Sequence, residues 1–321
     1  MSDETITRIA AVGSGYMGGG IAQVLALGGA TVTLGDVDAD VSAAALERLI
    51  REAEGFERDR LFAPGSTAVL RERLRTAASI EEAVDGAQYI TEAVPESRAI
   101  KAEALARVSA AASETAIIGS NTSAIPIREL AASVAHPANF LGVHWMNPAP
   151  FVPAVELIPT AATAAGVLGG VRALIASAGK VPVQVADSPG FIANRLQFAL
   201  FKEAVLMVEE GLATPADIDQ VVSNAFGFRL ALFGPFAIAD MAGLDVYHAS
   251  YGSLAAEYGE RLEAPEALAR LVADGHLGIK SGGGFLDIDA SQTSDLVAYR
   301  HRAYAALSAL RRELGPPPGL P

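Results

Sequence analysis

The chain has 321 residues and a formal net charge of −13; 51% of its residues are hydrophobic and 19% are charged. This length suggests two domains, the composition is typical of a folded globular protein, and the acidic charge disfavours nucleic acid as a partner. Because the sequence has no cysteine, it excludes disulfides, thiolate nucleophiles and cysteine-ligated metals, and we expect no metal site.

Apolar runs in the sequence are too short to cross a membrane. The longest candidate, residues 230–239, is interrupted by Gly234 and Pro235, whereas a span needs roughly 18 apolar residues. The chain begins with an acidic stretch rather than the basic and then apolar pattern of a secretory signal. We therefore expect a cytoplasmic protein with no membrane contact.

Strand and helix patterns alternate through the first half of the chain. Residues 6–12 have the pattern of a strand, residues 17–29 of a helix, residues 31–34 of a second strand and residues 41–56 of a second helix. A capping box at Ser79 to Glu82 opens a short helix. Further strands are predicted at residues 89–94, 116–120, 140–145, 152–157 and 181–185. This alternation predicts an α/β, Rossmann-type doubly wound, mostly parallel sheet.

The pattern changes after residue 187 and becomes helical. Residues 191–210, 215–225, 235–258 and 265–277 have helical spacing, and prolines stand near several of the starts. We therefore predict one domain over residues 1–187 and an all-α C-terminal domain over residues 188–321. The proline-rich tail, residues 316–321, is expected to be irregular.

A glycine motif follows the first predicted strand. Gly13, Gly15 and Gly18 form a GxGxxG pattern that also contains Tyr16 and Met17. Between a strand and a helix, the first glycine permits a tight turn, the second admits a pyrophosphate and the third lets the helix pack closely. The positive end of the helix would attract the phosphates. We therefore take these five residues as candidate dinucleotide contacts.

Asp36 ends the second predicted strand, about 20 residues beyond the glycine motif, where an acid binds the adenosine ribose. Its charge would repel a 2′-phosphate, which favours NAD over NADP. The alternative is a turn residue between Gly35 and Val37. Flavin and methyl-donor enzymes share this fold, so the motif alone does not identify the cofactor.

His144 and Glu156 are the candidate catalytic pair. His144 is one of five histidines and ends a strand, where sheets of this kind present residues to a ligand, and Glu156 is a lone acid within an apolar strand. A buried carboxylate needs a partner. If that partner is His144, the pair would fix the imidazole tautomer and yield a general base poised near neutral pH. A structural histidine and an ion pair that only supports the fold remain as alternatives.

Taken together, the chain resembles the L-3-hydroxyacyl-CoA dehydrogenases over nearly its whole length. The similarity lies in five ordered motifs: GSGYMGGGIAQ from Gly13, SNTS from Ser120, HWMNP from His144, Val155-Glu156, and PGFIANRL from Pro189. The resemblance implies NAD-dependent oxidation of a 3-hydroxyl group and a place in fatty acid metabolism. It also implies a homodimer formed by the helical domain, to which residues 198–208 and 230–238 would contribute unless they are core.

The resemblance assigns roles to individual residues. It implies that His144 accepts the hydroxyl proton, that Glu156 stabilises the imidazolium, and that Ser123 and Asn194 hold the substrate oxygens. Read alone, Ser123 is equally a helix cap before residues 125–134, and Asn194 an ordinary helix residue. The resemblance further implies that Glu96, Lys101 and Asn147 contact NAD, although Glu96 and Lys101 are equally a surface pair.

The substrate class is left open by the sequence. In this family the coenzyme A contacts lie in a hairpin-like excursion, which here is residues 55–75. Five arginines of this segment could bind the phosphates of the nucleotide: Arg58, Arg60, Arg71, Arg73 and Arg75. The alternative is that these arginines only pair with Glu57, Asp59 and Glu72. Parts of the second domain resemble relatives acting on small hydroxy compounds, such as L-gulonate 3-dehydrogenase, the lambda-crystallin type, and a pyridine-carboxylate dehydrogenase. Arg229 is the candidate for binding the carboxylate of such a substrate. A third alternative is a non-enzymatic, crystallin-like dinucleotide-binding protein.

Overall fold

The structure, a computed structural model, describes residues 5–319. It divides into two compact units, Met1–Leu200 and Phe201–Pro321, which are considered separately below. Within residues 5–319 no helix is long and apolar enough to cross a bilayer. The expectations for the first four residues and for the last two residues of the tail lie outside the described residues, whereas residues 316–319 have no helix or strand.

The first unit is built on an eight-stranded sheet with the order β3-β2-β1-β4-β5-β6-β7-β8. Neighbouring strands are parallel except β6 and β7, which are antiparallel. The strands are β1 (Arg8–Val12), β2 (Thr31–Gly35), β3 (Leu74–Thr76), β4 (Tyr89–Glu92), β5 (Ile117–Ser120), β6 (Phe140–Trp145), β7 (Ala154–Pro159) and β8 (Val181–Gln184).

Helices cover both faces of this sheet. Alternate residues of β1 point to opposite sides, so that Ile9 and Ala11 belong to one apolar core and Ala10 and Val12 to the other. A doubly wound, mostly parallel sheet is therefore confirmed. The helices of this unit are α1 (Tyr16–Leu27), α2 (Ala39–Arg58), α3 (Ser66–Arg73), α4 (Ile80–Val84), α5 (Arg98–Ala111), α6 (Ile127–Leu130) and α7 (Ala165–Ser177).

The second unit is helical, as the sequence predicts. Thr214 and Asp217 form a capping box at the start of α9, and Pro215 occupies the first turn. Ala239, Leu244 and Leu268 form a small buried core. The helices from the end of the first unit onward are α8 (Ala193–Glu209), α9 (Pro215–Asn224), α10 (Phe226–Leu230), α11 (Pro235–Ala242), α12 (Leu244–Tyr258), α13 (Glu266–Ala273) and α14 (Thr293–Leu314).

Several elements differ from the sequence prediction. The helix predicted over residues 235–258 is two helices, because Gly243 between them has φ +107°. The helix predicted over residues 125–134 is the single turn α6 followed by a 3₁₀ turn. Residues 55–75 are the end of α2, the helix α3 and the start of β3, so the hairpin-like excursion is built from helices. The sequence analysis also missed the long helix α14.

Candidate functional site

The glycine loop between β1 and α1 has the geometry expected of a dinucleotide site. Gly13 has φ +88°, a backbone conformation that favours glycine. A Cβ atom at Gly18 would lie 1.8 Å from the carbonyl oxygen of Gly13, so α1 approaches the loop too closely for any other residue. By contrast, a Cβ at Gly15 would meet no atom within 4 Å, which leaves this backbone open to a ligand.

A cleft of about 720 Å³ opens beside this loop. It lies at the carboxyl ends of β1, β2 and β4, where open α/β sheets bind ligands. Six of the predicted site residues line it: Gly13, Gly15, Met17, Asp36, Glu96 and Ser123. Asn121, which the sequence analysis did not name, lines it as well. Tyr16, Gly18, Lys101, Asn147 and the catalytic candidates His144, Glu156 and Asn194 do not line it.

Asp36 braces the glycine loop from the end of β2. Its Oδ2 accepts hydrogen bonds from the backbone N–H and the hydroxyl of Ser14, at 2.7 and 2.6 Å, and its Oδ1 accepts one from the Val37 N–H at 2.8 Å. The carboxylate therefore has a fixed position at the edge of the cleft, with its charge facing the place where an adenosine ribose is expected.

Arg48 is a contact that the sequence analysis missed. From α2 its Nη2 donates to the carbonyl oxygens of Ser14 and Gly15, at 2.8 and 3.3 Å, while its Nη1 pairs with Glu52 at 2.9 Å. The spacing of Arg48 and Glu52 signals a surface helix pair and nothing more. The contact of Arg48 with the glycine loop arises only when α2 packs beside that loop in the folded protein.

Lys101 is fully buried behind the cleft, so the alternative of a surface pair with Glu96 is wrong for Lys101. Its Nζ donates to Glu92 Oε1 at 2.8 Å and to the carbonyl oxygen of Val94 at 3.1 Å, and lies 3.6 Å from Glu96 Oε2. The other oxygen of Glu92 accepts from the Ser120 hydroxyl at 2.5 Å. This buried network joins the ends of β4 and β5; a direct contact of Lys101 with NAD stays a prediction.

Glu96 holds the loop that carries Ser123. Its Oε1 accepts from the Thr122 hydroxyl at 2.6 Å and from the backbone N–H groups of Ser123 and Ala124 at 2.9 and 3.0 Å. Partial burial raises the pKa of Glu96, but these donors and the charge of Lys101 outweigh it and keep the pKa below the usual 4.5. Glu96 is therefore a charged anchor between the cleft wall and Ser123.

His144 and Glu156 lie directly opposite each other on the antiparallel strands β6 and β7. Both are buried, and His144 Nδ1 is 2.8 Å from Glu156 Oε2. The other oxygen, Oε1, accepts from the backbone N–H groups of Ile192 and Ala193 at 3.0 Å each. The pairing proposed from the sequence is thus present, held by the register of two strands and by the chain just before α8.

The charge of Glu156 has a structural cause. Burial raises the pKa of its carboxyl group, but the hydrogen bonds from His144, Ala193 and Ile192 outweigh burial, and the pKa lies below the usual 4.5. Glu156 is therefore a carboxylate at neutral pH. Because this carboxylate accepts a hydrogen bond from Nδ1 of His144, the other ring nitrogen, Nε2, is not bound by Glu156.

Ser123 and Asn194 are also brought together. Asn194, in the first turn of α8, donates through Nδ2 to the carbonyl oxygen of Ser123 at 3.0 Å. Ser123 does not cap α6, which begins at Ile127 with Pro126 before it. Asn147 is exposed in the loop between β6 and β7, and within residues 5–319 its side chain makes no hydrogen bond. Ser123 and Asn194 are therefore joined by a hydrogen bond, whereas the side chain of Asn147 is bonded to neither.

The arginines of residues 55–75 are largely engaged with nearby groups. Arg58 pairs with Asp59 at 3.2 Å, as the alternative reading proposed, whereas Arg71 pairs with Glu54 on α2 rather than with Glu72. Arg73 donates to the carbonyl oxygen of Gly29 and Arg75 to that of Leu74. Four of the five guanidinium groups therefore already have partners within the protein.

The dinucleotide cleft at the carboxyl edge of the doubly wound sheet, together with the family match and the relatives described below, shows that the chain is an NAD-dependent dehydrogenase that acts on CH–OH groups. The residues of the cleft suit NAD, because the open backbone at Gly15 and the carboxylate of Asp36 offer the phosphate and ribose contacts that the cofactor needs. The family models for 3-hydroxyacyl-CoA dehydrogenase match residues 8–188 with the NAD-binding domain and residues 190–288 with the C-terminal domain. The chain belongs to the 3-hydroxyacyl-CoA dehydrogenase family.

Similar proteins within this family have different substrates in their names. The chain is 37% identical to a 5-formyl-3-hydroxy-2-methylpyridine 4-carboxylate 5-dehydrogenase of Mesorhizobium japonicum, over 94% of this chain and 97% of the relative. It is 35% identical to a probable 3-hydroxybutyryl-CoA dehydrogenase of Bacillus subtilis, over 88% of this chain and 98% of that protein. A crystal structure of a pyridine-carboxylic acid dehydrogenase of the first kind, described as an NAD+-dependent dismutase, superposes with a TM-score of 0.72, at 35% identity over 95% of this chain and 98% of the other.

Proposed function

We propose that this protein oxidises the 3-hydroxyl group of its substrate to a ketone, with His144 as the general base. The single observation that carries the proposal is the buried hydrogen bond of 2.8 Å between His144 Nδ1 and Glu156 Oε2. In this reaction the O–H bond breaks as its proton passes to His144 Nε2. The carbinol carbon loses a hydride and the C=O bond forms, and NAD, when bound, takes that hydride.

Glu156 is proposed to act on the reaction through His144. Because its Oε2 accepts from Nδ1, the neutral imidazole has its lone pair on Nε2, which is the tautomer that a base requires. After proton transfer the carboxylate lies beside an imidazolium and stabilises it. The two backbone donors on Oε1 hold the carboxylate in place during this change.

Ser123 and Asn194 are proposed to hold the oxygen atoms of the substrate. The hydrogen bond from Asn194 to the backbone of Ser123 sets the distance between the two side chains, and the contacts of Glu96 fix the Ser123 loop. Both side chains offer neutral donors, which suit a hydroxyl and a carbonyl oxygen.

The proposed substrate is a 3-hydroxyacyl-CoA thioester. This assignment is supported by the name of the family and by the 3-hydroxybutyryl-CoA dehydrogenase named above. It would give the protein a role in fatty acid metabolism. Arg60 is the arginine of the 55–75 segment for which the structure shows neither an ion pair nor a side-chain hydrogen bond among the described residues, so all its donors are available for a phosphate.

A small free hydroxy acid is the second candidate, and a specific observation favours it. Most arginines of the 55–75 segment are held by internal partners, which weakens the electrostatic case for a nucleotide at that surface. The higher identity to a dehydrogenase of a pyridine carboxylate points in the same direction. The base and the hydride acceptor are the same for both candidates.

NADH formation at mildly alkaline pH tests the chemistry and the substrate together. The substrates to compare are 3-hydroxybutyryl-CoA, free 3-hydroxybutyrate and L-gulonate, and the variant is His144→Ala. We expect turnover to fall by roughly 10²-fold to 10⁴-fold in the variant while NAD affinity is unchanged. Unchanged turnover in His144→Ala would rule out the proposed base, and turnover of a free acid without the thioester would select the second candidate.

A further inference from the structure

The helical unit contains a cavity that the proposed reaction does not use. It has a volume of about 280 Å³, and its polar lining consists of Arg229, Arg300, His301 and Tyr304. Ile238 and Met241 contribute an apolar side. We call this cavity the Arg229 pocket.

Two guanidinium groups share this pocket without an acidic partner. Within residues 5–319, neither Arg229 nor Arg300 forms an ion pair, whereas Arg261 in the same unit is paired with both Glu203 and Glu210. Arg300 instead lies with Nη2 3.1 Å from His301 Nε2, a nitrogen that then accepts the hydrogen bond. In a chain with a net charge of −13, two arginines that line one cavity and form no ion pair within residues 5–319 mark a local attraction for an anion.

The pocket is assembled from two distant parts of the chain. Arg229 belongs to α10, and the other polar residues belong to α14, which begins at Thr293. The family model of the C-terminal domain ends at residue 288, so half of the pocket comes from beyond the matched region. This half therefore provides a property of this chain that membership of the family does not by itself imply.

We infer that the Arg229 pocket binds the carboxylate of a small, partly apolar organic anion. Guanidinium groups bind carboxylates through two parallel N–H···O bonds, and two such groups can share the two oxygens of one carboxylate. The ring of Tyr304 and the side chains of Ile238 and Met241 would contact the apolar body of the ligand. The volume suits a molecule of about the size of a substituted pyridine and is too small for coenzyme A.

Binding is tested without turnover, by ligand-observed NMR titration of the full-length protein with pyridine-4-carboxylate and, as a neutral counterpart of the same shape, pyridine-4-carboxamide. We expect saturable binding of the carboxylate and at least a roughly tenfold weaker affinity for the amide, because the charge-assisted bonds are lost. Affinity for the carboxylate is also expected to fall as salt is added.

Arg229→Gln and Arg300→Gln are each expected to lower the affinity for pyridine-4-carboxylate at least about tenfold. Arg302→Gln is the matched control, since Arg302 is exposed on the same helix and does not line the pocket. A Tm and an NAD affinity equal to those of the wild type show that each variant is folded. Equal affinity for carboxylate and amide, or an equal loss in Arg302→Gln, would overturn the inference, and so would the absence of saturable binding.

Kinetics then identify the source of the carboxylate. If it belongs to the substrate, Arg229→Gln raises KM for a free hydroxy acid; if it belongs to a separate ligand, KM is unchanged while the NMR affinity still falls. Both results support the site. The titration does not depend on the proposed reaction, because His144→Ala is expected to bind the carboxylate with wild-type affinity. If His144 proves not to be the base, the test of the Arg229 pocket is unaffected.

Discussion

At the scale of single residues, the carboxylate of Glu156 controls which nitrogen of His144 bears a proton. In Glu156→Gln the amide can keep its oxygen toward the N–H groups of Ile192 and Ala193, which turns its NH₂ group toward His144 Nδ1. The ring would then be protonated on Nε2, the nitrogen proposed to accept the substrate proton. A nearly isosteric change thus removes the base without removing the histidine.

Glu156→Gln also yields a prediction about pH. Because the pKa of Glu156 in the folded protein is below the ordinary 4.5, the carboxylate stabilises the fold. That contribution is complete above pH 4.5 and is lost as the pH falls through the lower pKa of the folded state. We expect the variant to be less stable by about 1–3 kcal/mol at neutral pH, because charge-assisted hydrogen bonds become neutral ones, and the difference to shrink toward zero in acid. Urea unfolding at a series of pH values measures this difference, and a gap independent of pH would contradict the assignment.

Asp36 is expected to determine the choice between NAD and NADP. Asp36→Asn keeps an oxygen that can accept from Ser14 but removes the charge that repels a 2′-phosphate. We expect NAD affinity to fall by roughly tenfold and the preference for NAD over NADP to narrow by a similar factor. Asp38→Asn is the control, because Asp38 caps α2 through the Val41 N–H and is not part of the cleft lining. Fluorescence titration with NADH and NADPH gives both affinities; an unchanged preference in Asp36→Asn would exclude this role.

At the scale of elements, Lys180 holds the connection between β6 and β7, the two strands that carry His144 and Glu156. It is buried at the start of β8, and its Nζ donates to the carbonyl oxygens of Ala149, Pro150 and Val152, at 2.7, 2.9 and 2.9 Å. Burial lowers its pKa. Since residues 146–153 join β6 to β7, this one ammonium group clamps the loop next to both His144 and Glu156.

Replacing Lys180 is therefore expected to affect stability and catalysis together. Lys180→Met removes all three hydrogen bonds and should lower the free energy of unfolding by about 2–4 kcal/mol, with a reduced kcat. Lys180→Arg should also be less stable than the wild type, because a planar guanidinium cannot direct its donors to the three carbonyl oxygens as a compact ammonium does. Lys202→Met, at an exposed position of α8, is the control. Denaturant unfolding and steady-state kinetics decide; full stability in Lys180→Met would show that the clamp has no energetic role.

The same elements show how far the sequence predicts the fold and the site. Periodicity and glycine spacing locate β1, α1 and β2, because these signals are local, and the lone acid Glu156 in an apolar strand predicts a buried partner. Strand β3 was missed since it has three residues, of which Leu74 alone is buried. The roles of Arg48, Glu92 and Lys180 depend on groups brought close only by tertiary packing, which are backbone carbonyls for Arg48 and Lys180 and the side chains of Lys101 and Ser120 for Glu92. No local pattern in the sequence encodes such contacts.

At the scale of the whole molecule, the two units present different chemical groups to a ligand. The first has the open backbone at Gly15 and the carboxylate of Asp36 beside its cleft, and the second has Arg229 and Arg300, which form no ion pair within residues 5–319. In a strongly acidic protein, anions are thus drawn by specific local groups rather than by the overall field.

Association into a homodimer is the expectation that concerns the molecule as a whole. An exposed apolar stripe runs along α8 through Phe198, Phe201, Val205 and Val208, with 63, 63, 39 and 36% of each side chain accessible. The spacing of three and four residues places these side chains on one face of the helix, which is the pattern of a helix that packs against another. We propose that a second copy of this chain covers the stripe, as the resemblance to the family implies.

Phe201→Glu is expected to convert the dimer into a monomer, because a charge within an apolar interface is costly unless it is paired. Ala199→Glu adds the same charge at an exposed position on the other face of the same helix and should leave the dimer intact. Sedimentation velocity at several protein concentrations distinguishes the two states. A wild-type protein that sediments as a monomer would show that the stripe has another use, whereas dissociation in both variants would indicate general charge repulsion rather than a specific contact at Phe201.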